Sequence, residues 1–148
     1  MADHKMKEGS TSALLRRLLN TPDLEQFMEC NASELEIPQF HAYISELCET
    51  AGMVQEQVIK QSGIERTYGH QLFNGTRKPS RDKVIQLAFG LKMDLEGTLK
   101  LLQIAQKSSL YPKIKRDAAI LYCINHRMDI IETQNVLYSL GLTLLGGE

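Results

Sequence analysis

The stretch Gln55–Asn74, QEQVIKQSGIERTYGHQLFN, restricts the fold more than any other part of this chain. It predicts a helix of about two turns that stops at Gly63, a short turn, and then a second helix. Glycine takes the positive φ of such a sharp connection without steric cost. Val58, Ile64, Tyr68 and Leu72 supply the apolar side that fixes the two helices against each other.

The rest of the chain reads the same way. Alternating apolar and polar residues are scarce and no run is dominated by Val, Ile and Thr, so the expected class is all-α with no strand. Helices are expected over 12–19, 38–51, 54–62, 65–74, 81–89, 95–106, 113–127 and 130–140. Thr21-Pro22-Asp23 reads as a cap with proline at the first helical position of a further short helix ending near Cys30. Gly52 closes the helix over 38–51; Ser80 and Asp94 are N-cap candidates, and Asp129-x-x-Glu132 resembles a capping box. No internal repeat stands out. The expected organisation is an N-terminal helical extension (1–38), a central unit (39–106) and a C-terminal helical extension (107–148).

On a helical wheel starting at Arg66, the residues Arg66, Thr67, His70, Gln71 and Asn74 fall between about 0° and 140°. Tyr68, Gly69 and Leu72 fall between about 200° and 300°, on the other side. One side packs inward; the other presents a guanidinium, a hydroxyl, an imidazole and two amides. Such a set matches base edges in a DNA major groove, Arg with guanine and Gln or Asn with adenine. A solvated polar helix face has the same composition.

Residues 55–80 resemble the helix-turn-helix of the phage-repressor and Cro-like (Xre) family of DNA-binding regulators. The matching positions are Gln55 at the start of the first motif helix, Val58 in its core, Gly63-Ile64 at the turn, and Asn74-Gly75-x-Arg77-x-Pro79-Ser80 beyond the second helix. Residues 81–99 resemble that family's fourth and fifth helices, and the likeness spans about 40–102. It implies a five-helix repressor-like core carrying extra N- and C-terminal helices. It implies that Gln55 touches phosphate, that Arg66, Thr67, His70 and Gln71 enter the major groove, and that Asn74, Thr76, Arg77 and Lys78 lie near the backbone. Gln55 could instead merely cap its helix, and Arg77 or Lys78 could be plain loop solvation.

Three positions depart from the family pattern. The family has alanine where this chain has Ile59 and a branched aliphatic where it has Gly69. The two sites face each other where the motif helices cross, so bulk has moved from one helix to the other. Phe73 replaces a polar or acidic residue at the edge of the buried face; cover by a terminal helix is the expectation, contact with a thymine methyl the alternative. Glu65 suits the positive end of the second helix but repels phosphate.

Charge and composition narrow the function classes. The net charge is −1, yet residues 1–39 carry four basic and seven acidic groups, whereas 60–83 carry six basic and two acidic ones. No His/Cys pattern of metal-ligand spacing, phosphate-binding glycine loop or GxSxG elbow occurs, so no catalysis, metal or cofactor is expected. Three widely spaced cysteines (Cys30, Cys48, Cys123) fit reduced thiols, and no apolar run is long enough to span a membrane. The N-terminus lacks the features of a signal peptide, so a cytoplasmic location is expected. The expected function is sequence-specific binding of duplex DNA in transcription regulation, as a homodimer built or supported by the C-terminal helices, which could instead pack on their own domain. The other reading is an adaptor or antitoxin-like protein that keeps the fold, binds DNA weakly or not at all, and meets a protein partner through its terminal helices.

Overall fold

Five of the described helices start at a side chain that caps them, Asp23, Glu65, Ser80, Asp94 and Asp129. The computed structural model describes residues 2–147, with side chains from residue 11 onward, and divides into two compact units, Met1–Ile37 and Pro38–Glu148. In the first unit, α1 (Ala2–Asn20) begins well before the expected Ser12. The second helix, α2 (Leu24–Cys30), is capped by Asp23, whose carboxylate accepts the Gln26 N–H at 3.3 Å. Pro22 therefore precedes the cap instead of opening the helix. A single 3-10 turn follows at Ala32–Glu34, and Glu34 pairs with Arg17 of α1 at 2.6 Å.

The second unit contains α3 (Phe40–Ala51), α4 (Gln55–Gln61), α5 (Arg66–Asn74), α6 (Arg81–Gly90), α7 (Leu95–Ile104), α8 (Lys115–Asn125) and α9 (Ile130–Ser139). The described residues are helix, turn and loop, with no strand. Ser80 and Asp94 cap α6 and α7 through the N–H groups of Lys83 and Gly97. Asp129 and Glu132 form a full capping box on α9. Ile44, Ile59, Leu72, Ile85, Leu101, Leu102, Ile120 and Leu137 form the fully buried heart of the unit. Helix α3 packs on α5, α4 on α5 and α6, and α6 on α7. Helices α8 and α9 pack on each other and reach α7 and α6, so the chain beyond residue 107 shares the core of the chain before it.

The expectation of no internal repeat is overturned here. The hairpin α6–α7 recurs as α8–α9 at an interval of 35 residues, from Arg81 to Arg116. Asp82 matches Asp117, Ile85 matches Ile120, Met93-Asp94 matches Met128-Asp129, Thr98 matches Thr133, and Leu102 matches Leu137. The hydrogen bonds repeat with the residues. Thr98 and Thr133 each donate to the carbonyl of the helix cap, Asp94 or Asp129, at 2.8 Å.

The two copies are tied by an exchange of charges. Arg81 forks onto Asp117 (3.2 and 2.9 Å) and donates to the carbonyls of Ser108 and Ser109. Arg116 forks onto Asp82 (3.0 and 2.9 Å) and donates to the carbonyls of Thr143 and Leu144. Asp117 also accepts the Tyr111 N–H, and Asp82 the Gly146 N–H. Each contact has its counterpart with the copies interchanged, the reciprocity of a two-fold contact. The Asp82 and Asp117 side chains are only 4% and 3% exposed. Burial alone would raise the Asp82 pKa, but the Arg116 guanidinium and the Gly146 N–H outweigh it and hold the carboxyl below its usual range.

Arg116→Met strands the buried Asp82 carboxylate. The expected loss is about 3–5 kcal/mol of unfolding free energy in urea titrations at neutral pH, the cost of breaking a buried pair from one side. Because the Asp82 pKa is depressed in the fold, its contribution is complete above the unfolded value of about 3.9 and disappears as pH falls towards the folded value. Stability should therefore fall on acidification below about pH 5, with a shallower slope in Asp82→Asn than in the parent chain.

Candidate nucleic-acid interface

Two buried contacts hold the turn between α4 and α5. Gly63 takes φ +69° and lets Ile64 turn into the core. The buried amide of Gln86, on α6, donates to the carbonyls of Ser62 and Gly63 at 3.2 and 3.4 Å. Gly90 lets α6 approach α4 closely: a Cβ there would run into the Ser62 hydroxyl and the Val58 carbonyl. Neither Gln86 nor Gly90 carries a sequence signal for this role, since a glutamine between apolar helix positions reads as exposed.

Helix α5 is then seated against α4 by size. A Cβ added at Gly69 would lie 2.7 Å from Ile59 Cγ1 and nearer still to Cγ2, so the isoleucine fills the space that a side chain at Gly69 would take. Phe73 is buried, which rules out contact with a base in this arrangement. Helix α3 packs on α5, and the Ser45 hydroxyl donates to the Phe73 carbonyl at 3.3 Å. Glu65 caps α5 by accepting the N–H groups of Thr67 (2.6 Å) and Tyr68 (3.1 Å); these bonds hold its carboxyl below the usual range.

The candidate residues fall into two groups around α5. Arg66 and His70 both meet the carboxylate of Glu56, which reaches across from the first turn of α4. Hydrogen bonds from Arg66 first, then His70, keep Glu56 below the ordinary carboxylate range, and Glu56 in turn raises Arg66. Arg66 remains 76% exposed, so the pairing neutralises it without hiding it. Thr67 and Asn74 are exposed nearby, while Gln71 is half-buried and accepts the Arg77 N–H on its carbonyl at 3.2 Å. Gln55 is the half-buried first residue of α4.

The second group gathers around Tyr68. The Arg77 guanidinium lies 4.4 Å from the centre of the Tyr68 ring, and the Lys83 ammonium 5.3 Å from it. Asn74 closes the loop after α5 by accepting the Thr76 N–H at 2.9 Å, and Thr76 and Lys78 are exposed there. Sequence reasoning missed Glu56, Tyr68 and Lys83 as members of this surface. The spacing between Glu56 and Arg66 crosses a turn, which helix periodicity does not span.

Among the described residues no group of three or more His, Cys, Asp and Glu side chains is arranged to hold a metal ion, and no helix is long and apolar enough to cross a membrane. No protein family, curated protein or solved structure matches this chain.

Gly69→Ala should lower stability by about 1–3 kcal/mol through overpacking against Ile59, although alanine is the better helix former. Ile59→Val in the same chain should recover part of that loss, because it removes one methyl group for the one added. Paired urea titrations of the two variants check the size exchange directly.

Proposed function

We propose that this protein is a cytoplasmic transcriptional regulator that binds duplex DNA, presenting α5 to the major groove. The observation that carries this reading is a short helix fixed along its rear by Gly69, Leu72 and Phe73, with Arg66, Thr67, His70, Gln71 and Asn74 on its open side. These side chains offer donors and acceptors suited to base edges. Arg77 and Lys83, gathered at Tyr68, and Lys78 in the loop flank the helix with charge suited to phosphate. The resemblance of residues 55–80 to Xre-type regulators supports the same reading. A two-fold dimer matches a two-fold operator, and the exposed Ile131 and Tyr138 on α9 are surfaces through which a second copy would associate. Sedimentation equilibrium on the purified protein tests that association.

Glu56 and Glu65 set the strength of such binding. Both are ionised at neutral pH and stand beside the surface offered to phosphate, and Glu56 already occupies Arg66 and His70. The same observation supports the competing reading, in which α5 meets no DNA and the protein acts through a protein partner.

Fluorescence anisotropy with duplex DNA from the upstream region of its own gene, at two salt concentrations, separates the two. A regulator shows specific binding that outcompetes random duplex and weakens steeply with salt, because phosphate contacts release counterions. An interaction protein shows no binding even at low salt. For the regulator, His70→Ala and Gln71→Ala should relax base preference by about 1–3 kcal/mol at one position each. Arg77→Ala should weaken all sequences alike and lower the salt slope by about 1. Glu56→Gln, by releasing Arg66 and His70, should strengthen binding to random duplex and steepen its salt dependence.

A further inference from the structure

A cleft of about 820 Å³ opens in the second unit where the turns after α6 and α8 meet the end of α4. Its size is that of small-molecule sites, which are mostly apolar with a few placed polar groups. Phe89, Met93, Ile124, Met128 and Ile130 supply apolar lining, and methionine adapts readily to the shape of an occupant. Three cations, Lys60, Lys92 and Arg127, stand on the same lining, and none has an ion-pair partner among the described residues. The two acids of the lining, Asp129 and Glu132, are already engaged. Each accepts the other's backbone N–H in the cap of α9, at 2.8 and 3.0 Å.

The duplication sharpens the point. Lys92 and Arg127 are equivalent residues of the two copies, each in the left-handed region at φ 56° just beyond its helix. Glycine is the usual occupant of that position, yet the chain sets a long cation there in both copies, with methionine next in each. Gln106, the remaining non-glycine residue of positive φ among the described residues, lies outside the cleft.

We propose that this cleft is a binding site for a small amphiphilic organic anion. Lys60, Lys92 and Arg127 take its carboxylate or similar headgroup, and Phe89, Met93 and Met128 take its apolar body. The inference is independent of what α5 binds.

The test is a titration of the full chain with sodium octanoate, followed by amide chemical shifts, with 1-octanol as the neutral counterpart. Saturable binding at one site is expected, with shifts concentrated in 89–93 and 127–132 and weaker binding of 1-octanol. Lys92→Gly/Arg127→Gly should cut octanoate affinity about fivefold or more. The same double variant should unfold at an unchanged or higher temperature, since glycine suits both backbone positions. Should that variant fail to fold, Lys60→Gln on the exposed side of α4 must show a smaller loss of affinity. The proposal is overturned by the absence of saturable shifts, by shifts lying outside the cleft, or by octanoate affinity that the charge-removing variants leave unchanged.

Discussion

Two carboxylates buried at the starts of α6 and α8 can exist there only because each is claimed by an arginine from the other copy. A buried charge without a partner costs several kcal/mol, and here the partner always lies across the boundary between the two hairpins. The forked geometry demands that the first turns of α6 and α8 stand side by side in one orientation. Apolar residues of the same volume could supply comparable stability, but they would not specify that orientation so narrowly. The carbonyls of residues 108, 109, 143 and 144, bound by the same guanidiniums, extend the constraint to the chain following α7 and α9.

That anchoring reaches the exposed face of α5 through α6. One end of α6 is held by the exchanged charges; its middle and far end hold α4, through the Gln86 amide and the close approach at Gly90. Helix α5 rests on α4 through Ile59 and Gly69. The side chains offered to a partner are therefore positioned by a chain of contacts that begins some forty residues further along, in a segment without any likeness to a known motif. A unit ending near residue 106 would leave Arg81 and Asp82 without their partners.

Much of the helical layout was legible because it is local. Gly52, Gly63, Ser80, Asp94 and the Asp129/Glu132 box end or begin helices by their own chemistry, and the crossing of Ile59 with Gly69 was implied by the likeness of residues 55–80 to Xre-type helix-turn-helices. At α2 the local signal was ambiguous, and Asp23 outcompeted Thr21 for the cap. The duplication is faint in the sequence because most core positions kept only their apolar character, as at Val84 and Ala119 or Phe89 and Ile124. What the copies share is a hydrogen-bond pattern, visible once Asp82 and Asp117 are seen to be partnered. The candidate face was legible as a set of residues on one side of a helix. Its electrostatics were not, because Glu56 belongs to another helix and only tertiary structure brings it to Arg66 and His70.

The Ile59 and Gly69 pair has a consequence for how this chain can change over time. Either residue alone is held in place by the other: a side chain at Gly69 collides with the isoleucine, and shortening Ile59 leaves a void that glycine cannot fill. Moving the bulk to the other helix needs two substitutions, with a less stable protein between them. The crossing thus behaves as a latch that resists change at either site alone, whatever α5 is selected to touch.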